Sequence, residues 1–135
     1  MDNVIYWDAS AVLSCLFKDI HSEEAQNKAS VTGFHVISSL AYSEICAVIA
    51  RLQRDKQIRD VFVTAAFDTL ANGPWRNLIL QPEINIMQNL ATRWPLRGAD
   101  LWHLTCALTL QKQLPELTLL TYDNRLKIAA EEEGL

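Results

Sequence analysis

Four short apolar runs, spaced by segments with helical character, constrain the fold of this chain more than any other feature. Residues 3–7 (NVIYW), 34–37 (FHVI), 76–81 (RNLILQ) and 117–122 (LTLLTY) are rich in β-branched, aromatic or leucine side chains and read as strands. Residues 9–17, 21–30, 40–56, 58–70, 83–94 and 100–113 read as helices, and a last helix starts at Asp123. The helix over 40–56 carries a stripe of Ala41, Ile45, Val48, Ile49 and Leu52 at the spacing of an amphipathic helix. Ser38 or Ser39 suits its N-cap, and Asp8 or Ser10 that of the first helix. Asn72-Gly73-Pro74 stops the helix over 58–70, and Pro95 stops the one over 83–94. Strands that are apolar throughout and alternate with helices are buried on both faces. The expectation is a single domain over 1–135, an α/β chain in three α/β/α layers around a mostly parallel sheet of four to five strands.

Composition narrows the function classes. Half of the 135 residues are apolar and the net charge is only −4, so the chain has material for a core and lacks the signature of disorder. No apolar run approaches the roughly 18–20 residues that span a bilayer. The opening MDNVIYWDAS has an acid where an export signal carries Lys or Arg, so no export and a cytoplasmic location are expected. Cys15, Cys46 and Cys106 are odd in number and scattered, which speaks against a disulfide framework and against a CxxC metal knuckle. The pI near 5.3 excludes a protein that coats long duplex DNA and limits any nucleic-acid contact to a few phosphates.

The acids fall where chemistry collects in parallel sheets, at the carboxyl ends of strands. Asp8 follows the first strand, Asp123 the last, and Asp100 opens a helix after the Pro95–Gly98 turn. Glu44 lies one turn inside its helix, on the border of the apolar stripe. Each has a bland alternative. Asp8, Asp100 and Asp123 suit N-caps, where an acid contributes roughly 0.5–2 kcal/mol without any function. Glu44 suits a solvated carboxylate on the Arg51 side of its helix. If the four converge, repulsion of about 4 kcal/mol per pair at 4 Å and an effective dielectric near 20 calls for a cation. All-oxygen donors select Mg²⁺ or Mn²⁺ over zinc, and such a site suits phosphodiester cleavage.

Four stretches, in order, resemble the motifs of the PIN domain family: IYWDASAVLSCLF, ISSLAYSEICAVIAR, LRGADLWHLTCAL and LLTYDNRLKIAAEEEGL. Within it, the chain is most similar to VapC-type toxins of toxin–antitoxin pairs. The resemblance implies an Mg²⁺- or Mn²⁺-dependent endoribonuclease that cuts single-stranded or loop RNA and is held inactive by a cognate antitoxin, with a homodimer as the expected assembly. Carried over by position, it puts Asp8, Glu44, Asp100 and Asp123 on the metal-binding acids and Ser10 and Thr121 on the hydroxyls beside them. Trp7 stands where the family usually has a smaller aliphatic residue, and Asn124 leaves out an acid that some members carry there.

Arg97, three residues before Asp100, is the candidate phosphate contact. His103, one turn after Asp100, reads as a core or helix-surface histidine at the edge of the site rather than a general base. The four tryptophans and three cysteines read as packing. Ala41 and Tyr42 suggest a groove for an antitoxin helix. The competing class is a PIN-like module that binds RNA or protein without cutting. A receiver-like or dehalogenase-like enzyme fits poorly, because Ser10 replaces the second acid of a DxD pair and no P-loop pattern occurs.

Overall fold

β1 (Val4–Trp7) and β2 (Phe34–Ser38), the two most completely buried strands, form the middle of the sheet. β3 (Trp75–Leu78) lies outside β2 and β4 (Leu117–Leu120) outside β1, in the order β3-β2-β1-β4 with every neighbouring pair parallel. The computed structural model describes residues 3–135. The helices are α1 (Ala9–Leu16), α2 (Ser22–Ala29), α3 (Ser39–Arg54), α4 (Asp60–Asn72), α5 (Ile84–Arg93), α6 (Gly98–Gln111) and α7 (Asn124–Glu132).

Alternation along β1 divides the core into two layers. Ile5 and Trp7, with Ile37 of β2, pack against Val12 of α1, Ile45 and Ile49 of α3 and Val63 and Ala66 of α4. Val4 and Tyr6, with Val36 and Leu117, point the other way, onto Cys106 and Ala107 of α6. Leu90, Leu104 and Leu126 join α5, α6 and α7 on that second side. The three-layer expectation therefore holds, with four strands among the described residues, all of them parallel.

Several boundaries differ from the sequence expectation, each for a physical reason. The Ser38 side chain accepts the Ala41 N–H at 3.0 Å, so α3 begins at Ser39. β3 begins at Trp75, whose ring packs edge-on against Trp7 at 5.5 Å. It ends at Leu78, and Ile79 is 97% exposed. Ala41 is fully buried against the sheet and cannot line a groove for a partner helix.

Gly33 governs the start of the β1–β2 ladder. Its φ is +150°, and a Cβ there would lie 2.3 Å from the Asn3 carbonyl oxygen, the group that accepts the Phe34 N–H at 2.9 Å. Gly98, at the start of α6, has open space around it. In urea denaturation, Gly33→Ala should cost about 1–3 kcal/mol. Gly98→Ala should leave stability unchanged or raise it by up to about 1 kcal/mol. Equal effects at the two positions would contradict this account of the β1–β2 junction.

Candidate functional site

The parallel register of β1 and β4 sets Trp7 opposite Leu120, so the residues that follow them meet at the carboxyl edge of the sheet. Asp8 is 4% exposed and caps α1. Its Oδ1 accepts the Ala11 N–H at 3.0 Å and the Ser10 hydroxyl at 2.7 Å, while Oδ2 accepts the Thr121 hydroxyl. Ser10 Oγ in turn accepts the Tyr122 N–H at 3.0 Å, and Thr121 Oγ1 accepts the Asp123 N–H at 3.1 Å. Ser10 and Thr121 thus stitch the turn after β1 to the turn after β4. Burial pushes the Asp8 carboxyl above its ordinary range, against the opposing pull of the Thr121, Ser10 and Ala11 donors.

Asp123 is exposed and caps α7, its Oδ1 accepting the Leu126 N–H at 3.0 Å. Asp100 caps nothing. Arg97 holds the N-cap position of α6, and Asp100 sits half-buried in the first turn. Its carboxyl is raised by burial first, and then by the negative charges of Asp123, Asp8 and Glu44. The fourth acid arrives from the opposite layer. Glu44 on α3 reaches over the sheet edge and accepts a bond from His103 Nε2 on α6 at 2.7 Å. Its partner is therefore this buried histidine and not Arg51.

Asp100 therefore feels the negative charge of the other three acids. Asp100 and Asp123 line an open cleft of about 350 Å³ together with Leu96, Arg97, Asn124 and Arg125. Arg97 lines the same cleft as two of the acids. Arg125 and Asn124 are the additions. Arg125 directly follows Asn124 on α7, but only the meeting of the α6 and α7 N-termini puts both in the cleft.

Among the described residues, no three His, Cys, Asp or Glu side chains stand in a geometry that would hold a metal ion as they are. The donors at hand are carboxylate and hydroxyl oxygens, the set a hard divalent cation takes. Asp8 is fixed by its bonds, whereas Asp123, Asp100 and Glu44 are exposed or half-buried and would have to rotate to close around an ion.

No family model and no curated protein matches the chain by sequence. Solved structures do match its fold. PAE2754 from Pyrobaculum aerophilum superposes with a TM-score of 0.64 at 15% identity, over 97% of this chain and 87% of that one. VapC20 of Mycobacterium tuberculosis, described as a Sarcin-Ricin loop cleaving toxin, gives 0.60 at 13% identity over 93% and 94%. VapBC2 from Rickettsia felis, solved with a DNA fragment from its promoter, gives 0.59 at 14% identity over 89% and 99%. The chain has the PIN-domain fold that these structures share.

The raised Asp100 carboxyl has a stability consequence. Its folded-state pKa lies above the unfolded value, so the folded state binds the proton more tightly. The penalty for the charged form is full above the folded pKa and fades as pH falls from there towards the unfolded value. Asp100→Asn should therefore melt higher than the parent at neutral pH without divalent ions, and the difference should shrink on acidification. Thermal melts across that range check this; a variant that melts lower at neutral pH would show that the charge is not the strained element.

Proposed function

We propose that this chain is a divalent-cation-dependent endoribonuclease, acting as the toxin of a toxin–antitoxin pair. The observation that carries the proposal is the electrostatic linkage of Asp100 to Asp123, Asp8 and Glu44 beside a cleft that also holds Arg97 and Arg125. Carboxylates are brought together here against their mutual repulsion, which a bound cation relieves. Asp8, Glu44, Asp100 and Asp123 would hold Mg²⁺ or Mn²⁺. When bound, the ion supplies polarisation of the phosphoryl oxygen, a lowered pKa for an attacking water and neutralisation of the leaving oxygen.

The protein's own groups do the positioning. Ser10 and Thr121 fix both oxygens of Asp8, so that the most buried acid presents one geometry to whatever binds above it. Arg97 and Arg125 offer cations to backbone phosphates in the cleft that Asp100 and Asp123 line. With a net charge of −4, these local cations are what draws an anionic substrate to an acidic protein. Single-stranded or loop RNA is the proposed substrate. Likeness to VapC20 and VapBC2 supports this reading and that of a cognate antitoxin partner. A homodimer in the cytoplasm completes it.

Purified protein should cleave RNA with Mg²⁺ or Mn²⁺ and lose activity in EDTA. Asp8→Asn, Glu44→Gln, Asp100→Asn and Asp123→Asn should each lower the cleavage rate by about a hundredfold or more while keeping the far-ultraviolet circular dichroism of the parent. RNA that is bound but never cut, with or without metal, would favour the binding-module alternative. Arg97→Ala, measured in the Asp100→Asn background, should weaken RNA binding and make the slope of log K on log salt less negative by about 0.7. An unchanged slope would remove Arg97 from the phosphate path.

A further inference from the structure

His103 is buried, and both of its ring nitrogens are engaged. Nε2 lies 2.7 Å from Glu44 Oε1, and Nδ1 lies 2.7 Å from the Tyr6 hydroxyl oxygen. Tyr6 is itself fully buried, on the face of β1 that packs on α6. One chain of polar groups therefore runs from the central strand, through α6, to α3. It joins helices on opposite faces of the sheet at its carboxyl edge.

The direction of the proton donors follows from the chemistry of each group. A carboxylate only accepts, so Nε2 carries the hydrogen. Burial pushes the Tyr6 hydroxyl far above its ordinary value, so it keeps its proton and can donate to Nδ1. In this arrangement Nε2 donates, Nδ1 can accept, and the imidazole occupies only one oxygen of Glu44. Oε2 remains for another partner.

We propose that His103, oriented by Tyr6, is a positioning residue that holds the Glu44 carboxylate so that its second oxygen faces the shared anionic site. This rests on the metal-site reading above and adds to it a residue that touches neither metal nor RNA. A carboxylate on a helix samples several rotamers, and the Glu44 side chain is 33% exposed at the sheet edge. A single charge-assisted bond from a buried, doubly anchored imidazole removes that freedom before a cation arrives. Such supporting bonds are worth about 10–100-fold in metal affinity.

Two measurements test this, one of them on unmutated protein. Long-range ¹H–¹⁵N spectra, assigned by comparison with His103→Gln, should show a hydrogen on His103 Nε2; a hydrogen on Nδ1 alone overturns the proposal. Calorimetric titration with Mn²⁺ should give His103→Leu an affinity lower than wild type by about tenfold or more. His103→Gln, which keeps a donor near the position of Nε2, should recover it to within about threefold, and Tyr6→Phe should fall between the two. Unchanged Mn²⁺ affinity in folded His103→Leu, or equal losses in the Leu and Gln variants, overturns the positioning role while leaving the four-acid site standing. Wild-type protein that binds no Mn²⁺ overturns the site itself, and the role of His103 with it.

Discussion

A carboxylate buried at the carboxyl end of the central strand is the constraint around which this molecule is arranged. Asp8 can be buried because four oxygen and nitrogen groups crowd onto its two oxygens or brace those that do. Two of them, Ser10 and the Ala11 amide, come from the helix that Asp8 itself caps. The others come from the chain that leaves β4, more than a hundred residues away. Parallel pairing of β1 with β4 brings Thr121 there without any loop of its own. The same pairing sets Asp123 beside it and fixes where α7 must begin.

The other acids add charge to a place that already disfavours it. Asp100 is raised by burial and by its three acidic neighbours, and His103, beside the group, is committed to Glu44. Arg97 and Arg125 stand at the cleft, and neither makes an ion pair with these acids. A chain that needed only helix caps would have no cause to gather Glu44 and Asp100, which cap nothing. The proposed cation and anionic substrate would account for the arrangement, with the two arginines left to the latter.

Much of this was legible in the residues. Asp8 and Asp123 were readable as both strand ends and helix caps, and the structure makes them both. The layer architecture followed from the strands being apolar on both faces, as in the VIYW of β1. Glu44 was placed correctly at the border of its apolar stripe, because a helix of regular period fixes that angle. Its partner was not, since the bond to His103 spans 59 residues and crosses the sheet edge. Nothing in a helical wheel reports which helix of the other layer approaches. The same holds for Tyr6, where a buried strand residue carries no outward sign that its hydroxyl serves a histidine. Strand order was also beyond local pattern, because it depends on which side each crossover takes. The helix expected from Asp100 starts at Gly98 instead, which turns the aspartate from a cap into a first-turn residue facing the cleft.

The central claim is spatial: four carboxylates from β1, α3, α6 and the end of β4 serve a single divalent ion site. Crystals grown with Mn²⁺ and measured at the manganese absorption edge test it most directly. The account predicts an anomalous peak within bonding distance of Asp8 and at least two of Glu44, Asp100 and Asp123. Ordered side chains with no peak among them, or a peak held by other residues, would contradict it.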